Sequence, residues 1–155
     1  MVISFQATTD LSKSAEITYA NMRSYYQHYS VDWQQSNIVQ QISELDNWDI
    51  LCDGEVVGAI RLQFDESGCY LRDLQISQAF QNQGIGAKAL GEATRVARQS
   101  GAKQIRLRVF KISPAYGLYK RFGFEKIDED DRFYSMAKDI AEERLTQRNT
   151  LMVIE

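Results

Sequence analysis

The spacing of apolar residues predicts two helices in the first part of the chain. Between Asp10 and Tyr29 apolar side chains recur at helical spacing, and Asp10 is suited to cap the first turn. This face consists of Leu11, Ala15, Tyr19, Met22, Tyr26 and Tyr29. A shorter second helix is predicted from the spacing of Trp33, Ile38, Ile42 and Leu45.

Two further helices are predicted in the second half of the chain. The third is a strongly helical run from Ala87 to Ser100, and the Gly101 that follows is typical of a helix C-terminus. Its apolar face is predicted to contain Ile85, Ala89, Ala93, Val96, Ala97 and Ser100. The fourth begins with Ser113 as N-cap and Pro114 at the first helical position, and it ends at Gly123.

Runs of apolar residues bounded by turn residues predict the strands. Asp53-Gly54 indicates a hairpin turn, and Glu66-Ser67-Gly68 indicates the turn that follows. The predicted strands are residues 2–5, 48–52, 56–64, 70–76 and 104–110, with two more after Gly123 that close at 133–136. These elements predict a mixed sheet.

Length and composition indicate one enzyme-sized globular domain. A chain of 155 residues with 44% hydrophobic residues is long enough to bury one sizeable core. The domain is predicted to occupy residues 1–138. Residues 139–155 are predicted to form an extension that is first charged and then apolar.

Charge and residue usage limit the classes of partner. A net charge of −3 argues against nucleic-acid binding, and no run of residues has the length of a membrane span. The start of the chain lacks a basic leader, so we expect a cytoplasmic protein in which Cys52 and Cys69 are buried thiols. A single histidine, His28, predicts no metal site.

The segment Gln81-Asn82-Gln83-Gly84-Ile85-Gly86 carries the strongest chemical signal. It joins the strand that ends at Ile76 to the third helix. A helix start presents unpaired N–H groups at a positive dipole end, which suits a phosphate or pyrophosphate. Gly84 and Gly86 lack Cβ, so the backbone there can approach such a group closely.

Two common phosphate-binding motifs do not account for this segment. A P-loop needs Lys and then Ser or Thr after its second glycine, whereas Gly86 is followed by Ala87 and Lys88. A dinucleotide motif is matched in form by Gly84, Gly86 and Ala89. The next strand nevertheless carries basic residues and no carboxylate at its end, and too little chain follows for a doubly wound sheet.

The loop resembles the pyrophosphate loop of the GNAT superfamily of N-acetyltransferases, and so do the segments around it. The family pattern Gln/Arg-x-x-Gly-x-Gly/Ala is matched by Gln81, Gly84 and Gly86. The other matching segments are Leu74-Gln75-Ile76, Arg106-Leu107-Arg108-Val109, Ser113-Pro114-Ala115, Leu118-Tyr119, Gly123-Phe124 and Phe133-Tyr134-Ser135-Met136. The departures are Gln78, where proline is common, and Ser113, where asparagine is common.

The resemblance implies an α/β fold and a set of cofactor contacts. The fold would be a mixed, mostly antiparallel sheet of about seven strands flanked by four helices. Acetyl-CoA would be the co-substrate, with its pantetheine arm paired to Ile76 and the N–H of Leu74 facing the acetyl oxygen. The remaining implied cofactor contacts are Gln81, Asn82, Gln83, Gly84, Ile85, Gly86, Ala87, Ser113 and Tyr116.

The resemblance also implies how protons are managed when an amine attacks the thioester. Tyr119 matches the family tyrosine that protonates the departing CoA thiolate, and Tyr116 is the fallback. Asp73 is the best placed carboxylate for a general base. Strand alternation sends Asp73 and Leu74 to opposite faces, however, so a solvated or salt-bridged Asp73 and proton transfer through water remain alternatives.

Aromatic residues concentrate where the first two predicted helices join. Tyr25, Tyr26, Tyr29 and Trp33 are predicted to contact the acceptor, with the alternative that they simply cover the sheet. Transfer of acetyl to a small-molecule primary amine is the function expected. Acetylation of a protein N-terminus or lysine is one alternative, and a non-catalytic acyl-CoA-binding sensor is another.

The last apolar residues of the chain suggest self-association. Leu151, Met152, Val153 and Ile154 come after the predicted fold is complete. An exposed apolar run of this kind favours association, so we expect it to be buried on its own domain or in a homodimer interface.

Overall fold

A computed structural model describes residues 1–141. Its helices are α1 (Leu11–His28), α2 (Gln35–Ile42), α3 (Ile85–Gln99) and α4 (Ala115–Phe122), with a short 3-10 turn at Gln78–Phe80. Its strands are β1 (Ile3–Ala7), β2 (Asp46–Cys52), β3 (Glu55–Asp65), β4 (Gly68–Ile76), β5 (Gln104–Phe110), β6 (Glu125–Glu129) and β7 (Phe133–Asp139). Residues 142–155, which make up most of the predicted extension at 139–155 and include its predicted dimer-forming end, lie outside the described residues.

The predicted helix ends are set by local hydrogen bonds. The Asp10 carboxylate accepts from the N–H of Lys13 at 3.0 Å, which confirms Asp10 as the N-cap of α1. Helix α2 is shorter than predicted, and Trp33 and Leu45 lie outside it but pack on its core side. Gly123 ends α4 at a φ of 106°, as its sequence position predicted.

Two other helix predictions need correction. Helix α4 begins at Ala115, with Pro114 as the flanking residue, although the Ser113 hydroxyl still accepts from the Ala115 N–H at 3.1 Å. On α3, Ser100 is exposed and Val96 is only partly buried. Leu90 and Thr94 are buried in their place, because the buried stripe turns with the 3.6-residue period of the helix.

The seven strands follow the order β1-β2-β3-β4-β5-β7-β6. Strands β4 and β5 are parallel, whereas the pairs β1–β2, β2–β3, β5–β7 and β6–β7 are antiparallel. The predicted Asp53-Gly54 hairpin turn is present, with φ values of 51° and 86°. Within residues 1–141 the mixed, mostly antiparallel seven-stranded sheet and its four α-helices confirm the predicted fold class.

The described chain forms two compact units. The first contains Met1–Leu62 and Asp73–Ala89. Its buried residues include Ala15, Ile38, Ile42, Ile50, Val57, Ile60, Leu62 and Ile85. The predicted domain at 1–138 and extension at 139–155 stay predictions.

The second unit contains Gln63–Arg72 and the described residues from Leu90 to Ala141. Its core is formed by residues from β4, β5, α3, α4 and β7, including Cys69, Leu71, Leu90, Ile105, Leu107, Tyr119, Phe124 and Met136. Cys52 of the first unit and Cys69 of the second are both buried, as predicted from their strand positions.

Candidate functional site

The glycine-bearing loop lies in the first unit and leads directly into α3. Asn82 and Gly84 have positive φ values of 62° and 81°, so the loop turns through left-handed conformations that suit Asn and Gly. The side chains of Gln81, Asn82 and Gln83 are exposed, whereas Ile85 is 1% exposed and fixes the loop to the core. The loop is therefore exposed at residues 81–84 and joined to the core at Ile85.

The start of α3 presents donors to this open side. The first intrahelical bond is from the Lys88 N–H to the Gly84 carbonyl at 3.3 Å. The N–H groups of Ile85, Gly86 and Ala87 come before that bond, at the positive end of the helix. This arrangement can hold an anionic group through main-chain donors.

The end of β4 lies directly before this loop in the same unit. At Gly58 in β3, an added Cβ would overlap the main-chain carbonyl of Gln75 in β4. Directly after β4, the Ser77 N–H donates at 2.7 Å to the carbonyl of Val57, the residue before Gly58 in β3. The two strands therefore approach each other closely where Leu74 and Ile76 are placed, and only glycine fits at residue 58.

Asp73 in β4 is paired with a buried cation. The Nη1 atom of Arg61 lies 2.5 Å from Asp73 Oδ2, and the Arg61 side chain is 0% exposed against 19% for Asp73. Thr18 donates to the same carboxylate oxygen at 3.1 Å, and Gln75 donates to the other at 2.6 Å. The carboxylate thus accepts from three donors within its own unit.

Arg61 uses its guanidinium to connect three elements. Nη1 also contacts Thr18 Oγ1 at 2.7 Å and Nη2 contacts Ser14 Oγ at 2.7 Å, both on α1. Nε donates to Asn47 Oδ1 on β2 at 3.0 Å. A buried charge is costly unless it is paired and hydrogen-bonded, and Arg61 meets both conditions.

A second set of amides extends from Asp73 to the end of β4. Gln75 is 7% exposed, and its Oε1 accepts from Asn21 Nδ2 at 3.0 Å. Asn21 also donates to the Ile76 carbonyl at 2.8 Å, and Gln81 donates to that same carbonyl at 2.9 Å. Both lone pairs of the Ile76 carbonyl are therefore occupied, one from α1 and one from the loop.

Sequence reasoning missed the polar partners on α1. Ser14, Thr18 and Asn21 recur at spacings of four and three residues, which places them on one helix face. Ser14 and Thr18 are buried there beside Ala15, whereas the predicted apolar residues Leu11, Tyr19 and Tyr26 pack toward α2. The signal available in the sequence was Arg61 inside the apolar run of β3, because a buried arginine requires polar side chains from a neighbouring element.

The predicted acceptor aromatics divide into two pairs. Tyr26 and Trp33 pack against the α1–α2 core, with their ring centroids 5.9 Å apart. Tyr25 lies on the last turn of α1 and Tyr29 is its C-cap, and both are partly buried. Tyr29 also forms an edge contact with His28 at 4.7 Å.

Tyr26 is electrostatically coupled to the Arg61–Asp73 pair. The pKa of its hydroxyl is raised from 10.0 to about 12, mainly by burial and also by the Asp73 carboxylate, while Arg61 opposes the shift. The Tyr26 hydroxyl is therefore neutral and able to donate throughout the physiological pH range.

The predicted acid lies in the second unit. Tyr119 on α4 is 7% exposed, and its ring meets that of Phe124 at 5.8 Å and 67°. Tyr116, one turn earlier, packs on Tyr134 at 4.7 Å, and the ammonium of Lys120 lies 5.9 Å from its ring centre. Ser113 precedes the same helix, so the three residues predicted in this region share one element and its cap.

The sequence profile of the Acetyltransferase (GNAT) family matches residues 14–124 of this chain. The match covers most of the chain, and the protein belongs to that family of acetyltransferases. No curated protein matches the chain.

Solved structures share the fold at low sequence identity. The PaiA N-acetyltransferase of Thermoplasma acidophilum, solved with coenzyme A, is 23% identical with a TM-score of 0.69, covering 90% of this chain and 99% of its own. The ribosomal-protein-S18-alanine N-acetyltransferase of Escherichia coli is 19% identical, with a TM-score of 0.70 and coverages of 90% and 94%. An aminoglycoside 6′-N-acetyltransferase solved with coenzyme A is 14% identical, with a TM-score of 0.72 and coverages of 90% and 97%.

A helix that crosses a membrane must be both long and apolar. Within residues 1–141, no helix combines the length and the apolar character needed to cross a bilayer.

Proposed function

We propose that this acetyltransferase uses acetyl-CoA and transfers the acetyl group to a primary amine of a small molecule. The observation that carries the proposal is the start of α3 after an exposed loop, where the N–H groups of Ile85, Gly86 and Ala87 precede the first helical hydrogen bond, in a member of the GNAT family. Two of the solved structures that share the fold are described as complexes with coenzyme A.

The loop would hold the pyrophosphate through the N–H groups of Ile85, Gly86 and Ala87. Main-chain N–H donors at a helix start suit a dianion because the phosphate groups can approach the backbone without obstruction by a bulky side chain. Gly84 and Ala87, on either side of Ile85 and Gly86, are exposed. Ser113 and Tyr116 would make further contacts with the cofactor.

The thioester would react at the end of β4. The amine nitrogen forms a bond to the acetyl carbon, and the carbonyl oxygen becomes an oxyanion that the Leu74 N–H would stabilise. One oriented donor of this kind contributes about 3 kcal/mol to catalysis. When the C–S bond breaks, Tyr119 would give its proton to the departing CoA sulfur.

The attacking amine must first lose a proton, and we propose that water accepts it. Asp73 was the carboxylate predicted for this step, but Arg61, Thr18 and Gln75 already donate to both of its oxygens. A general base needs a lone pair directed at the acceptor. The contacts of Asp73 therefore favour the alternative of a salt-bridged Asp73 with proton transfer through water.

The charge of the first unit supports a cationic acceptor. That unit contains nine Asp and Glu residues and four Lys and Arg residues, a net charge of −5, whereas the whole chain has −3. A surface potential of this sign attracts an ammonium ion before it is deprotonated. Tyr25 and Tyr29, at the end of α1, would contact its apolar part, and Tyr26 and Trp33 would support them from the helix core.

The test is a panel of acceptors assayed by release of the CoA thiol. The panel should contain alkyl monoamines, polyamines, an aminoglycoside, and peptides with either a free N-terminus or a lysine. We expect saturable turnover with a small amine, and mass spectrometry of the product should show an N-acetyl group. Turnover confined to the peptides would identify a protein acetyltransferase, and CoA binding without any turnover would identify a sensor.

A further inference from the structure

The first unit contains one continuous series of side-chain hydrogen bonds. It begins at Asn47, passes through Arg61 to Asp73, continues through Gln75 to Asn21, and ends on the Ile76 carbonyl. Gln81 of the loop shares that last acceptor. We refer to Asn47, Arg61, Asp73, Gln75 and Asn21 as the polar relay.

The relay has a rigid and buried end. Arg61 is 0% exposed and is bonded to α1, β2 and β4 at once. Asn47 is itself fixed, because its amide donates to the main-chain carbonyls of Ile42 at 2.9 Å and Leu45 at 2.8 Å. This end of the relay therefore cannot shift without breaking several buried hydrogen bonds.

The other end of the relay lies at the strand end that the proposed function assigns to the cofactor. Asn21 reaches it from α1, and its two donated bonds connect the Gln75 side chain to the Ile76 main chain. Gln81 approaches from an exposed loop position and contributes one bond to the same oxygen. Asn21 is held by two partners, so it is the more firmly fixed of the two amides on that carbonyl.

We infer that the polar relay positions the end of β4 for the pantetheine arm of acetyl-CoA, and that Asp73 acts within it as a positioning residue. The inference rests on the proposed function, because it takes Ile76 as the residue that pairs with the arm. The arm reaches the Ile76 carbonyl by displacing the exposed Gln81 amide, while Asn21 keeps the carbonyl oriented.

The pairing of Asp73 with Arg61 explains why a carboxylate occupies this position. An uncompensated guanidinium at 0% exposure would be strongly unfavourable, so Asp73 is needed to neutralise it. Its second oxygen then orients the Gln75 amide, whose carbonyl oxygen is left to accept from Asn21. Through Gln75 and Asn21, the Asp73 carboxylate thus helps to fix the orientation of the Ile76 carbonyl. This role involves no proton transfer to or from Asp73.

The experiment breaks the relay at two successive links that leave the ion pair intact. The variants are Asn21→Ala and Gln75→Met, measured singly and together by calorimetric titration with CoA. We expect each single change to raise the Kd for CoA by about 5-fold, the effect of one hydrogen bond. The double variant should bind about as weakly as either single variant, because both changes interrupt one series.

Gln35→Ala is the matched control. Its amide also donates to α1, to the Ser12 carbonyl at 2.9 Å, but it has no bond to the relay. This variant should bind CoA with unchanged Kd. Urea unfolding of every variant separates a loss of affinity from a loss of folded protein.

A pH profile with an acceptor from the panel tests the role of Asp73. The double variant Arg61→Met with Asp73→Asn removes both charges together, so that no buried ion is left without a partner. A positioning role predicts an altered KM for acetyl-CoA and an acidic limb of kcat that keeps its midpoint. If the acidic limb disappears and kcat falls by about 100-fold or more at saturating acetyl-CoA, Asp73 is the base and the inference is overturned.

The outcomes separate this inference from the proposed function. If the natural sequence binds CoA and both relay variants bind it equally well, the relay has no positioning role and the proposed function stands. If the natural sequence does not bind CoA, the proposed function fails, and the inference that rests on it fails too.

Discussion

Gly58 and Gln75 come so close in neighbouring strands that any side chain at residue 58 would overlap the Gln75 carbonyl. A Cβ on Gly58 would also meet Ile50 and Ile76, at 3.0 and 3.3 Å from their terminal methyl carbons. Main-chain carbonyls cannot move aside as flexible side chains can. The end of β4 therefore keeps its place only while residue 58 has no side chain.

Gly58→Ala is expected to lower both stability and cofactor affinity. The methyl group would force β3 and β4 apart, and overpacking of this kind costs about 1–3 kcal/mol of unfolding free energy. The displaced strand end should also raise the Kd for CoA. Urea unfolding and CoA titration measure the two effects separately.

Gly91→Ala is the control for that substitution. Gly91 is an exposed residue in the interior of α3 with open space around its Cα. Alanine there should raise stability by about 0.5–1 kcal/mol, because it favours the helix over the unfolded chain. If Gly58→Ala were equally harmless, the close approach of the two strands would have no energetic consequence.

Gly86→Glu should abolish CoA binding while the fold persists. The new carboxylate would lie in the first turn of α3, where it favours the helix dipole but repels the pyrophosphate. In thermal unfolding, CoA should raise the Tm of the natural sequence and leave the Tm of this variant unchanged.

Gly91→Glu adds the same charge further along the same helix and should keep the full shift with CoA. An equal shift in Gly86→Glu would show that the cofactor does not bind at the start of α3.

Tyr119→Phe removes only a hydroxyl from a side chain that is 7% exposed. If Tyr119 protonates the CoA thiolate, kcat should fall by roughly 10- to 1,000-fold with little change in the Kd for CoA. Steady-state rates with an acceptor from the panel, together with CoA titration, measure both quantities.

Tyr70→Phe is a suitable comparison for that variant, because Tyr70 in β4 has no role in the proposed chemistry. Its ring contacts the guanidinium groups of Arg72 and Arg106, whose Cζ atoms lie 5.1 and 5.6 Å from the ring centroid. Tyr70→Phe should turn over at the natural rate. An unchanged kcat in Tyr119→Phe, with chemistry rate-limiting, would transfer the role to Tyr116 or to solvent.

The raised pKa of Tyr26 predicts that the folded protein loses stability at alkaline pH. Its pKa of about 12 in the folded protein exceeds the 10.0 of the unfolded chain, so the folded state holds the proton more tightly. The contribution is fully present below pH 10 and is lost as the pH rises toward 12. Since Tyr26 is only partly buried, we expect it to amount to at most about 2 kcal/mol.

Tyr26→Phe should flatten this part of the stability curve. Urea unfolding at several pH values between 9 and 12 measures the slope directly, and absorbance titration reports ionisation of the tyrosines. A slope identical in both proteins would mean that Tyr26 ionises at its ordinary pKa.

The sequence by itself determined the order and type of the elements and the candidate cofactor loop. Asp10, Asp53-Gly54 and Gly123 each act through their nearest neighbours along the chain, so their effects can be read locally. The loop from Gln81 to Gly86 also depends only on local sequence, because a helix start and glycines are sufficient to present its N–H groups.

Only the tertiary structure decided which polar side chains meet. Arg61 and Asp73 belong to different strands, and Ser14 and Thr18 reach them from a helix more than 40 residues away in the chain. Sequence patterns report the periodicity of one element at a time, whereas hydrogen-bond partners depend on how elements pack. For that reason the sequence could identify Asp73 as a well-placed carboxylate. It could not predict that Arg61, Thr18 and Gln75 donate hydrogen bonds to both oxygens of that carboxylate.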